Sequence, residues 1–401
     1  MSARPVTISF QHGNPLASYR LAEDAGDAPL SIDLTIRNEH EDPLLFLTLL
    51  VSAKDRWQEF RLHIVARDFS QWCLNLLKSI SDLPALSTIL YLPRLTKLSI
   101  KFPVHVGQDL PPDELNYFGA PVNHLFFQDW SAPALRSIEL ENNFPTPIRD
   151  AINIACCRLS FNTSSVHTWG ILPLSRYFSE LSCRDLTYLL LDFEQTEFAV
   201  SEHLPHVRLQ NLRKLDIRLT DCDTPLRFLR LCSGLTIPNI DNLKLLVSLD
   251  MLLAQAQEES VVDWIDALLP PGKCFHTLRK FTMQVHSPGE HAVAPLRQVF
   301  ERCPNLRNLT ISGNLHPPPA DELPYRLPPL RKLKLLDSWN FDMPFVENMQ
   351  ARLVLDLDTW EEFELIKVQD CPFLHEDELQ RLFPPHKVEV LETIDEMQES
   401  D

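Results

Sequence analysis

The chain has 401 residues, 44% of them hydrophobic and 23% charged, and its 55 acidic side chains against 37 basic ones leave a net charge of −18. That balance argues against nucleic-acid phosphates or an anionic membrane as the main partner, because electrostatics would oppose both, and it favours a protein ligand. No stretch approaches the roughly 18 apolar residues of a membrane span; the longest apolar run, Leu44 to Ala53, contains Thr48 and Ser52.

Residues 1–28 carry Gly13, Pro15, Asp24, Gly26 and Asp27 with little periodicity and read as a loosely structured lead-in. The start, Met-Ser-Ala-Arg-Pro-Val-Thr, lacks the continuous apolar core of a signal peptide. From Pro29 the pattern changes. Leu30, Ile32, Leu34 and Ile36 alternate as in a half-buried strand, Leu44, Leu47, Leu50 and Val51 fit a helix, and Phe60, Leu62 and Ile64 alternate again. Phe69, Trp72, Cys73, Leu76, Leu77 and Ile80 then predict an amphipathic helix. Residues 29–92 are thus a cap followed by irregular strand-helix units.

Residues 93–385 repeat one phrase, L-x-x-L-x-L, often introduced by proline. Its copies start at Leu95, Leu135, Leu186, Leu212, Ile240, Leu278, Leu306, Leu330 and Phe363, with a weaker one at Cys156, Leu159 and Phe161. The copy at Leu306 runs through Leu309 and Ile311 into a polar Ser-Gly-Asn turn. Each L-x-L pair marks a short strand with one buried face, and the segment after it must carry the chain back to the next parallel strand. Several of those segments have helical spacing: Pro173 to Leu181, Pro295 to Cys303, and Val261 to Leu268 behind Ser260 and Asp263, which resemble an N-terminal cap. Nine steps over 268 residues give about 30 per unit, near the upper end of leucine-rich repeats. The predicted fold is therefore an α/β leucine-rich-repeat solenoid, one elongated domain with a curved parallel sheet on the concave side and helices and loops on the convex side. The acidic tail, 386–401, caps the stack or frays.

The repeats, with Ala28-Pro-Leu-Ser-Ile-Asp-Leu34 and Arg56-Trp-Gln-Glu-Phe-Arg-Leu62, resemble the large fungal family of F-box and leucine-rich-repeat proteins over roughly residues 20 to 385. The resemblance implies the substrate-binding part of a cullin-RING ubiquitin ligase receptor, in which an F-box docks a Skp-type adaptor and the repeats hold the protein to be modified. No Leu-Pro-x-Glu-like phrase followed by amphipathic helices opens this sequence, so the F-box itself is not among the features the resemblance covers. A standalone repeat scaffold without a ligase role is the alternative.

Chemistry-bearing motifs are sparse. No G-x-G-x-x-G or G-x-x-x-x-G-K-[ST] cradles a phosphate, and no G-x-S-x-G elbow presents a nucleophile. His203 and His206 flank Pro205 and lack a third metal ligand. Nine cysteines, an odd number without a C-x-x-C pair, predict reduced, mostly buried thiols in an intracellular protein, cytoplasmic or nuclear. No enzyme activity, cofactor or metal is expected. What remains is surface recognition, since the residues between the leucines of each strand point outward. Tyr188, Leu190, Leu336 and Leu365 are apolar at such positions, and Lys280, Lys332, Lys334 and Lys367 predict a basic patch near the C-terminal end. These eight are the candidate partner-binding residues, with an acidic or phosphorylated segment as the expected ligand.

Overall fold

The computed structural model describes residues 4–11, 14–65, 71–81, 83, 90–102, 130–142, 148–162, 168–169, 185–198, 206–222, 225–249, 260–286 and 292–391. The chain is α/β and divides into two compact units, Met1–Leu212 and Arg213–Asp401, where the repeats alone predict a single domain. Contacts in a repeat array run only between neighbours, so no common core obliges the chain to form one body.

In the first unit the strands are β1 (Val6–Ser9), β2 (Leu30–Ile36), β3 (Trp57–Ile64), β4 (Lys97–Lys101), β5 (Ser137–Glu141), β6 (Cys156–Asn162) and, after the two-residue β7 (Thr168–Trp169), β8 (Tyr188–Glu194). β1 to β6 and β8 pair side by side in chain order, and every pairing is parallel. The short β7 pairs instead with β9 (Glu197–Phe198), and β10 (Val207–Arg208) closes the unit's strands. In the second unit β11 (Lys214–Thr220) is followed by the two-residue β12 (Leu235–Thr236), then β13 (Asn242–Ser248), β14 (Lys280–His286), β15 (Asn308–Gly313), β16 (Lys332–Leu336), β17 (Leu365–Gln369) and β18 (Val388–Leu391). Again β11 and β13 to β18 pair in order and in parallel.

The period-two pattern decides which way each strand faces. Leu98 and Ile100, Leu215 and Ile217, Leu309 and Ile311, and Ile366 and Val368 are all buried, while of the residues between them Thr310 and Lys367 are half-buried and Ser99 and Asp216 are buried polar side chains. Register stacks the buried positions, so that Phe281, Leu309 and Leu333 form one row and Met283, Ile311 and Leu335 the next. One copy of the repeat is corrected. Cys157 and Leu159 pair in register with Ile138 and Leu140, whereas Cys156 pairs with Ser137 and is half-buried. The phrase therefore starts at the buried Ile154, two residues before the expected Cys156.

Parallel neighbours cannot be joined by a hairpin, so the chain returns through helices or turns. Helices Pro15–Asp24, Leu44–Val51 and Gln71–Ser81 do this in the first unit, and Pro225–Ser233, Val261–Leu268, Leu296–Arg302, Met343–Val354 and Glu376–Leu382 in the second. The Ser260 cap forms as expected: its hydroxyl accepts from the Asp263 amide, and the Asp263 carboxylate accepts from the Ser260 amide. The segment Pro173 to Leu181, residue Phe69 and most of the connection 102–131 lie outside the described residues.

Residues 1–28 are not a loose lead-in. Val6–Ser9 adds a strand to the sheet, and Asn14, whose side chain accepts from the Ala17 amide, starts the helix at Pro15. The Arg-Trp segment holds this part in place. Arg56 donates to the carbonyls of Ala22 and Ala28, pinning the end of that helix and the start of β2. Trp57, fully buried, stacks on Phe60 at 5.5 Å and meets Trp130 edge-on at 6.4 Å.

A second repeated device ends the strands. Asn142, Gln195, Asp221, Asp337 and Asp370 follow β5, β8, β11, β16 and β17, each with φ between 49° and 53°. Asn and Asp tolerate this left-handed conformation better than most residues. After four of these turns comes a small buried side chain that donates to the strand's last carbonyl. Thr196 bonds Glu194 O at 3.0 Å, Cys222 bonds Thr220 O at 3.5 Å, Ser338 bonds Leu336 O at 2.9 Å and Cys371 bonds Gln369 O at 3.2 Å. Burial pushes the Cys371 thiol up from its ordinary value, which keeps it a donor there.

At the end of β15 the turn residue is Gly313, with φ +101°, and a Cβ there would sit 1.8 Å from the Val285 carbonyl oxygen. Gly313→Ala should therefore cost about 3 kcal/mol or more, combining backbone strain with a displaced neighbouring strand. Gly272→Ala, at φ +78° with open space around it, should cost about 1 kcal/mol. Urea denaturation checks the pair, and equal midpoints for the two variants would contradict this account of the turn.

Candidate protein-interaction surface

One side of each sheet carries the apolar rows, and the other carries rows of polar residues set by the same register. In the first unit a middle row runs Ser9, Asp33, Arg61, Ser99, Glu139, Arg158 and Leu190. Its charges are largely matched internally. Arg61 meets Glu59 at 2.7 Å, and Lys101 reaches both Glu139 at 3.1 Å and Glu141 at 3.5 Å. Burial alone would raise the Glu139 carboxyl, but the bonded Lys101 ammonium, with Arg158 and Lys97 nearby, holds it below its ordinary value. Burial alone would lower Lys101, yet the two glutamates hold it above its ordinary value.

Two candidate residues belong to this face. Tyr188 is half-buried, with the Arg158 guanidinium 5.7 Å from its ring centre. Leu190 is corrected: it is only 9% exposed, because the arginine that pairs with it in register leans across this part of the sheet toward Tyr188. Period two puts a side chain on the open side, but its neighbours decide whether water reaches it.

The other six candidates lie in the second unit. Its first outward row reads Lys214, Asn242, Lys280, Asn308, Lys332 and Leu365, and its middle row reads Asp216, Lys244, Thr282, Thr310, Lys334, Lys367 and Glu389. The structure brings Lys332, Lys334 and Lys367 onto the adjacent strands β16 and β17, with Lys334 directly opposite Lys367. Leu365 pairs with Lys332, Leu336 lies beside Gln369, and both leucines are half-buried. Lys280 stands two strands away from Lys332.

The patch is less uniformly basic than its sequence suggests. Lys332 meets Glu364 at 3.3 Å, Lys367 meets Glu389 at 2.6 Å, and Lys214 meets the nearly buried Asp216 at 3.0 Å. Lys244, Lys280 and Lys334 have no ion pair among the described residues. Lys244 is the residue that sequence reasoning passes over, although the spacing Leu243-x-Leu245 already turns it outward. Burial, and then Arg218 and Lys214, lower its pKa, with Asp216 offsetting only part of the effect. Burial is the largest cause, and Asp216, opposite it in register, does not cancel it.

A pocket of about 140 Å³ elsewhere in this unit is lined by residues including Tyr325, Arg326 and Arg352. Arg352 is committed there to Asn348 and to the carbonyls of Pro324 and Ala320, so it acts as a strut. His203 and Pro205 lie outside the described residues. No helix among the described residues is long and apolar enough to cross a membrane. No protein-family model matches the chain, and no curated protein matches it.

The ion pairs of the first unit carry a pH signature. Because the Glu139 pKa is depressed, its contribution is present above the ordinary carboxylate value of 4.5 and is lost as pH falls through the lower folded value. Glu139→Gln should therefore flatten the loss of stability below pH 4.5 while lowering stability at neutral pH. Chemical denaturation across pH checks this, and identical acid limbs for both proteins would contradict it.

Proposed function

We propose that the chain is a protein-recognition module, a leucine-rich-repeat solenoid resembling the substrate-binding part of an F-box protein of a cullin-RING ubiquitin ligase. One observation carries the reading. On β13 to β16 the outward rows hold lysine, threonine, asparagine and leucine side chains in register, half-buried apart from the exposed Lys280. A broad sheet face with mixed hydrogen-bonding and apolar character is suited to a protein ligand.

A scaffold role without ligase coupling is the second reading. Binding of a Skp-type adaptor to the purified chain at submicromolar concentration would support the ligase reading against the scaffold.

The recognition reading itself is tested by affinity capture followed by mass spectrometry, using the wild type and Thr282→Trp/Thr310→Trp. The bulky pair should abolish capture of the specific partner by at least about tenfold with little change in melting temperature, because it obstructs the open face and spares the core. An unchanged set of captured proteins from a folded variant would contradict it.

A further inference from the structure

The outward positions of β13 to β16 carry four lysines and no carboxylate, in a protein whose net charge is −18. The field has limits on both sides. In the middle row it is bounded by Asp216 on β11 and by Glu389 on β18, and between Lys244 and Lys334 the register places Thr282 and Thr310.

Lys244 and Lys334 are three strands apart, a separation of about 14 Å at the usual strand spacing. An extended peptide advances about 3.4 Å per residue, so side chains at i and i+4 are also about 14 Å apart and lie on the same side. Resting on the recognition reading above, we infer that this face receives an extended acidic segment of a partner protein, laid across the strands. Carboxylates four residues apart meet Lys244 and Lys334, and the Thr282 and Thr310 hydroxyls donate to acceptors between them. Lys280 and Lys332, two residues earlier on their strands, line one margin of the track, and Lys332 is shared with Glu364.

The acidic margins favour a peptide over a nucleic acid. A phosphate backbone continues past the field in both directions and meets Asp216 or Glu389, whereas a short acidic stretch ends within it. Lys244 and Lys334 form no ion pair among the described residues, so a carboxylate placed at either displaces none.

The test is fluorescence anisotropy with a labelled ten-residue peptide of alternating glutamate and threonine, beside an alternating lysine and threonine peptide and a ten-nucleotide oligouridylate. The glutamate peptide should bind, its affinity should fall as salt rises, and Lys244→Glu/Lys334→Glu should weaken it by about tenfold or more. Lys273→Glu/Arg326→Glu, the same charge change at exposed positions off this face, should shift it by less than about twofold. If the first pair does not fold, Lys244→Gln/Lys334→Gln serves in its place with a smaller expected loss. Equal losses from both charge reversals, no detectable peptide binding, or tighter binding of the oligouridylate would each overturn the inference. Partner capture that survives Lys244→Glu/Lys334→Glu but is lost in Thr282→Trp/Thr310→Trp would overturn it while leaving the recognition reading standing.

Discussion

Parallel strands set side by side in chain order can be stable only if each buries one face, because an isolated strand exposes backbone groups and holds too little apolar area to offset its ordering. Here that burial comes from a few apolar side chains per strand, two on β15 and four on β2, stacked in register. Leu309 is meaningful because Phe281 and Leu333 flank it in the same row. Every other feature follows from this arrangement: the helices and turns cover the apolar side, and the opposite side is left to residues that need not pack.

The strand ends show how backbone accounting is settled in such an array. Where a strand stops, the left-handed residue followed by Thr196, Cys222, Ser338 or Cys371 gives its final carbonyl a donor from the chain's own next turn. The cysteines here are hydrogen-bonding parts of the turn. Their odd total points away from a disulfide framework, but it does not reveal that role.

Much of the fold is legible in the sequence because period two is a local signal. It needs only Leu-x-Leu and the polar residues around it, and it places β2 to β6, β8, β11 and β13 to β17, whereas the two-residue strands and β18, which falls in the segment read as a tail, lie beyond it. The first strand escapes it: Val6 to Ser9 is four residues long, and its one buried member is Ile8. The misplaced copy at Cys156 escapes for a related reason, since Cys156, Cys157 and Leu159 fit the pattern at two offsets and only pairing with Ser137 and Ile138 selects one. The candidate surface is legible as a set of outward positions and illegible as a charge distribution. Glu364 sits within the phrase that starts at Phe363 but ahead of its strand, and Glu389 lies on β18 beyond the last phrase, yet they neutralise Lys332 and Lys367 across strands. Lys244, by contrast, is set apart first by its burial and then by Arg218 and Lys214.

The central claim is that adjacent residues of one strand live in opposite environments, and a single pair of substitutions tests it most directly. Leu309→Asp puts a carboxylate on the buried side, where an unpaired charge costs several kcal/mol, a large share of a domain's stability. Thr310→Asp puts the same group one residue later on the half-buried polar side. Thermal unfolding followed by circular dichroism should show loss of the cooperative transition, or insolubility, for Leu309→Asp and a melting temperature close to that of the wild type for Thr310→Asp. Comparable destabilisation by both, or a greater effect at Thr310, would contradict the account.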